Sequence, residues 1–226
     1  MQIQLIGLPA SGKSTLSKML VSNYPDLYES GIKQYISVKK LLTRRPLFFL
    51  SVLVRLLPIL PICMVGVSRS DVNNFKKIEA IGGLFLNFAN YLESKNIAIR
   101  REKVVIWDEM LLQRSLSIFA YSSSLPRIRI IKKYIGWATR VCECVPVIIS
   151  CESDCKRLIG RGVPNRMTGI GLEQMEGLLK VQDKVLKILI EVLPGVEIID
   201  TDDDVERSAE RLHKFLFNTF HARESK

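Results

Sequence analysis

The chain is short of acidic charge and of pairable cysteine, and nothing at its start reads as a leader. Lys and Arg number 33 against 23 Asp and Glu, a net charge of +10. That balance favours anionic partners, whether phosphates, nucleic acid or acidic membrane surfaces, without choosing among them, and a solvated basic face gives the same count. Cys63, Cys142, Cys144, Cys151 and Cys155 form an odd set, and no basic stretch with an apolar run and cleavage site opens the chain. The expected setting is a reducing cytoplasm. C-x-C and C-x-x-x-C spacing around a strand-forming run is poor for zinc, which leaves the thiols buried or incidental. No internal repeat, low-complexity tract or flexible linker divides the 226 residues, so 1–226 is expected to be a single domain.

An unbroken membrane span is also lacking. "PLFFLSVLVRLLPILPICMVGV", Pro46 to Val67, approaches the required length and follows the basic "KKLLTRR". Arg55 near its middle costs about 2.5 to 3.5 kcal/mol on insertion scales, and Pro58 and Pro61 break its second half. A single span would also separate the first strand from the later ones, which must share a sheet. The stretch reads as a buried or interfacial helix plus a proline-rich turn, with peripheral membrane contact through 46–67 as the other reading.

What is present is an alternation. "EKVVIWDE" (Glu102 to Glu109), "VPVIISC" (Val145 to Cys151) and "VEIID" (Val196 to Asp200) are short and Val/Ile-rich, as strands buried on both faces are. Helical patterns fill the gaps at Asp71 to Lys95, Met110 to Tyr121, Arg127 to Val141, Gly171 to Leu193 and Asp204 to Phe220. Strand alternating with helix predicts an α/β fold, a parallel sheet covered on both sides. "IKQYISV", Ile32 to Val38, is expected as the fifth strand from its alternating β-branched residues.

Gly7-Leu8-Pro9-Ala10-Ser11-Gly12-Lys13-Ser14 matches G-x-x-x-x-G-K-[ST] between the strand "IQLI" and the helix "STLSKML". The glycines let the backbone curl so that successive N–H groups converge on a nucleotide's β-phosphate, and the helix N-terminus adds partial positive charge. Lys13 is placed to reach the β- and γ-phosphates, Ser14 to put its hydroxyl on Mg²⁺, and Thr15 to lie near the α-phosphate.

Asp108 and Glu109 follow the strand "VVIW", at the strand end that faces the same crevice. Asp108 is a candidate for holding Mg²⁺ or for taking a proton from an acceptor hydroxyl. Glu109 is the second candidate for either role, and it is expected to share a helix face with Gln113, with Arg114 as the adjacent basic group. A capping Asp would look the same. In "ESDCKRLIGRGVPNRMTG", Arg157 and Arg161 lie four apart on an expected helix and Arg166 follows a Gly-Val-Pro turn. Three arginines among glycines suit a flap that brings bidentate donors to a transferring phosphoryl group, as well as a plain basic loop.

"GLPASGKST", "WDEMLLQR", the R-x-x-x-R-G element at Arg157 to Gly162 and "IIDTDDDVERSAERLHKFL" resemble the P-loop kinases of the nucleoside and nucleotide kinase superfamily. Adenylate, thymidylate, adenylylsulfate and shikimate kinases are members. The resemblance implies a three-layer P-loop fold with a five-stranded parallel sheet, a helical acceptor-side insertion at about 30–95 and an arginine lid at about 153–171. It implies ATP with Mg²⁺, a small-molecule phosphate acceptor, no specific nucleic acid, and Thr201 and Asp202 near the adenine. Residues 30–95 match no one member's nucleoside-binding pattern, which leaves the acceptor open. Among competing classes, a GTPase would need N-K-x-D, which the chain lacks. A nucleotide-dependent binding or membrane-surface ATPase module, using "KKLLTRRPLFFLSVLVRLL" and "PRIRIIKK" as contacts, is the alternative to a kinase.

Overall fold

Five short strands carry the structure: Gln2–Ile6 and Val104–Trp107 are buried throughout, as inner strands of a parallel sheet covered by helices are, while the edge strands Tyr28–Ser30 and Glu197–Asp200 are partly exposed. A computed structural model describes residues 1–31, 35, 37–68, 74–101, 103–119, 127–151, 155–160, 171–202 and 204–224. In chain order the elements are β1 (Gln2–Ile6), α1 (Lys13–Asn23), β2 (Tyr28–Ser30), α2 (Val38–Arg44), α3 (Pro46–Leu56), α4 (Leu60–Ser68) and α5 (Asn74–Arg101). There follow β3 (Val104–Trp107), α6 (Leu111–Phe119), α7 (Ile128–Val141), β4 (Val145–Ser150), α8 (Cys155–Gly160), α9 (Leu172–Val192), β5 (Glu197–Asp200) and α10 (Val205–Glu224).

The strands lie in the order β2-β3-β1-β4-β5, every pair parallel, with Ile3 beside Ile106 and Leu5 beside Val147. Alternate residues of β1 feed two cores. Ile3 and Leu5 pack with Leu16 and Leu20 of α1 and Leu212 and Leu216 of α10. Ile6, with Trp107 and Ile148, joins the larger cluster under α5, α6, α7 and α9. Three layers result, and the carboxyl ends of β1, β3, β4 and β5 open on one edge, where ligands of such sheets bind.

The fifth strand corrects the sequence expectation. Tyr28–Ser30 pairs with Val104 to Ile106, whereas Ser37 caps α2 by accepting from the Lys40 N–H at 3.1 Å and Val38 opens that helix. Residues 32–34 and 36 of the expected strand lie outside the described residues. Ser is a strong N-cap, and capping outweighed the β-branched alternation.

The 46–67 stretch also differs from a helix plus turn. It forms two helices bent by 75°, and no single helix among the described residues is long and apolar enough to cross a membrane. Pro58 interrupts the ladder, while Pro61 falls in the first turn of α4, where a missing N–H costs nothing. Gly66 lets α4 approach α6: a Cβ there would meet the Phe119 ring at 2.6 Å.

Candidate functional site

The loop between β1 and α1 is held in shape from three sides. Gly12 sits at φ 87° and Ala10 at φ 61°, both left-handed, so the chain reverses sharply before α1. Gly7 has no room for a side chain, since a Cβ would collide with the Ile149 carbonyl oxygen of β4. From α6, Gln113 pairs with the backbone of Gly7. The Gly7 N–H donates to Gln113 Oε1 at 2.9 Å and Gln113 Nε2 donates to the Gly7 carbonyl at 3.0 Å. From below, the buried Thr201 hydroxyl donates to the Ser11 carbonyl at 2.7 Å and meets the Ser150 carbonyl at 3.1 Å. The loop thus ties together the ends of β1, β4 and β5 and the first turn of α6.

Lys13 folds back over this loop. Its Nζ donates to the carbonyls of Gly7 and Leu8, each at 2.8 Å, and to Ser11 Oγ at 3.2 Å. Burial pushes its pKa down from 10.5 to about 8, against the raising effect of Cys151, Asp108 and Glu109 nearby. Ser14, exposed on the first turn of α1, donates its hydroxyl to Asp108 Oδ2 at 3.1 Å. A hydroxyl and a carboxylate oxygen side by side are hard donors of the kind Mg²⁺ takes, one or two from protein with the rest from water and phosphate. The two residues expected to hold the metal therefore fit it. Among the described residues no group of three or more His, Cys, Asp or Glu forms a metal site, and Cys63, Cys142, Cys144 and Cys151 are not joined in disulfides.

Glu109 differs from the expectation. The helix begins at Leu111, so Glu109 lies outside it and shares no helix face with Gln113. Its carboxylate meets Arg114 Nη2 at 3.1 Å, with Arg114 buried and Glu109 half exposed. With the Asn87 amide oxygen turned to the guanidinium, Asn87 accepts from Arg114 Nε at 2.7 Å and Nη2 at 3.2 Å. The guanidinium lies against Gly83 of α5, where a Cβ would approach it to 2.9 Å. Arg114 is thus a buried strut between α5, α6 and Glu109.

Of the remaining expected residues, Pro9 and Ser11 lie within the loop, and Thr15 is exposed beside Ser14. Thr201 lies beneath the loop with its hydroxyl on protein carbonyls. Asp202 is exposed after β5, its N–H donating to Asp200 Oδ1 at 2.9 Å. Arg157 falls on α8; Arg161 and Arg166, and most of the expected lid, lie outside the described residues. Gln113 and the strut Arg114 were not picked out as site residues. Both stand in the sequence reading only as neighbours of Glu109 and within the WDEMLLQR element, the signal that could have found them.

The five-stranded parallel sheet with the loop after its central strand is a P-loop fold, and solved nucleoside and nucleotide kinases share it. In particular, the chain is similar to deoxyadenosine kinase from M. mycoides with bound dATP, at 18% identity and TM-score 0.52 over 96% of this chain and 99% of that one. It is similar also to thymidylate kinase from Candida albicans, at 16% identity and TM-score 0.53 over 97% and 92%, and to that from Ehrlichia chaffeensis, at 14% and 0.53 over 96% and 98%. No protein-family model and no curated protein matches the sequence.

Proposed function

We propose that the protein is a phosphotransferase that moves the γ-phosphoryl group of ATP, with Mg²⁺, to a hydroxyl or phosphate of a small-molecule acceptor. The observation that carries this is the 3.1 Å contact of Ser14 with Asp108, which joins the phosphate loop to a carboxylate on the neighbouring strand. The pair offers hard oxygen donors for Mg²⁺ on the phosphates, which ATP cleavage needs whether the γ-phosphoryl group goes to an acceptor or to water. The kinase fold of the neighbours supports the reading.

In this scheme Gly7 to Gly12 present backbone N–H groups to the β-phosphate, with Thr15 near the α-phosphate. Lys13 exchanges its loop carbonyls for the β- and γ-phosphate oxygens, a change its three present hydrogen bonds leave within reach. Ser14 and Asp108 would hold the metal, which would neutralise charge on the phosphates. Glu109, pinned by Arg114 on the acceptor side, orients the acceptor or takes its proton. Arg157, Arg161 and Arg166 follow β4 and supply guanidinium forks to the transferring group. Thr201 acts by supporting the loop, and Asp202 is assigned to the nucleoside end of ATP from the resemblance.

The test is acceptor-dependent ADP release with Mg²⁺ over nucleosides, nucleotides, sugars and lipid-linked precursors. Release that depends on one acceptor and is lost in Lys13→Ala supports the assignment; release indifferent to every acceptor favours the ATPase module instead.

A further inference from the structure

Helix α3 is apolar on both sides. Val52 and Leu56 point inward with 0% and 1% exposure, as a core helix requires, yet Leu47, Leu50, Val54 and Leu57 are 82%, 53%, 55% and 54% exposed. Spacings of three, four and three place those four on one outward stripe. A helix lying on a water-facing surface carries polar residues there. Met64 on α4 and Phe75 and Ile78 at the start of α5 are likewise 60%, 76% and 73% exposed. Nine of the fifteen exposed large apolar side chains among the described residues fall between Leu42 and Ile78. Such concentration marks an interaction face.

The charge of the same segment says what it meets. Between residues 31 and 78 the sequence has nine Lys or Arg and one carboxylate, Asp71. Lys39, Arg44 and Arg55 are exposed on α2 and α3, while Arg45 is held by Glu93 at 2.6 Å. A second copy docking here would bring two such basic sets together, and like charges oppose that contact. An anionic lipid surface satisfies both features, since the apolar stripe enters the acyl boundary and the cations meet the headgroups. The 75° bend between α3 and α4 suits helices that lie along a bilayer. Between α3, α4 and α5 an apolar cavity of about 660 Å³ opens on this face, lined by Phe49, Leu53, Val67 and Phe85 and lipped by the exposed Met64 and Ile78. Its apolar lining would suit one acyl chain.

We propose that the α2–α5 face, with the Leu47/Leu50/Val54/Leu57 stripe at its centre, docks on anionic membrane surfaces. None of these residues belongs to the nucleotide site, so docking is read separately from ATP binding, although the face lies within the expected acceptor-side insertion at about 30–95. The test is flotation of the full chain with phosphatidylcholine vesicles with and without phosphatidylglycerol. Retention should be at least about tenfold stronger on the anionic vesicles and should fall as salt rises. Leu47→Glu with Val54→Glu, and separately Lys39→Glu with Arg44→Glu, should each cut retention about tenfold or more while nucleotide affinity stays unchanged. Because all four side chains are exposed, neither pair disturbs the core. Equal retention on both vesicle types, no retention on either, or retention untouched by both pairs would overturn the proposal. So would a dimer in solution that Leu47→Glu with Val54→Glu dissociates, which would make the occupant a second copy.

Discussion

Gln113 holds Gly7 as one strand holds another. Its side-chain amide accepts from the Gly7 N–H at 2.9 Å and donates to the Gly7 carbonyl at 3.0 Å, across 106 residues of sequence. Gln113→Leu fills similar space but leaves both backbone groups without these partners. The expected loss is about 1 to 3 kcal/mol of stability. Because the loop must be shaped before nucleotide arrives, ATP affinity should fall about tenfold or more. Calorimetric titration alongside a melting curve checks both.

Thr201 makes a second support, from β5. Thr201→Val keeps the shape and removes the hydroxyl that bonds Ser11 and Ser150. Thr201 is buried at 2% exposure, so the cost should again be about 1 to 3 kcal/mol. If Thr201 acts as a support, ATP and GTP should lose affinity equally; a loss confined to ATP would place it on the base instead.

Asp108 and Glu109 are adjacent yet face different partners, Ser14 and Arg114. Asp108→Asn should lower turnover by about 10² or more and flatten its dependence on Mg²⁺ concentration. Glu109→Gln should leave the Mg²⁺ dependence intact. Should Glu109→Gln be the one that flattens it, the two roles exchange.

Lys13 gives the nucleotide affinity a pH dependence of known sign. In the free protein burial lowers its pKa to about 8. Bound phosphates favour the charged form and raise that value, so above about pH 8 binding takes up a proton and affinity falls with rising pH. The slope should approach one decade per pH unit before flattening at the pKa of the complex. Below about pH 7 Lys13 is charged in both states and its contribution should vanish. Titrations across that range in wild type and Lys13→Arg, where the slope should be absent, separate this lysine from other groups.

Much of the sheet was legible in the sequence because β3 and the middle of β4 are buried, so VVIW and VPVII are nearly unbroken apolar runs, and because the phosphate loop marks the strand before it. The phosphate loop was legible because its backbone needs glycine at Gly7 and Gly12, where contact and φ forbid a side chain. Tyr28–Ser30 was not: three residues at a sheet edge, partly exposed, carry too little pattern. Nor were the Gln113–Gly7 pairing and the contact of Arg114 with Asn87, because each joins positions far apart in the chain and rests on which way one side chain turns. The outward apolar stripe of α3 was visible only as a hydrophobic run, since sequence does not say which side of an all-apolar helix is covered.

Phosphoryl transfer itself is the most direct measurement. γ-Labelled ATP with Mg²⁺ is incubated with each member of the acceptor panel, using wild type and Lys13→Ala side by side. The expected result is label on one acceptor class with wild type and nearly none with Lys13→Ala, a loss of several kcal/mol in kcat/KM, on the order of other lost phosphate clamps. Undiminished transfer by Lys13→Ala, or ATP hydrolysis by wild type at one rate whatever acceptor is present, would contradict the assignment.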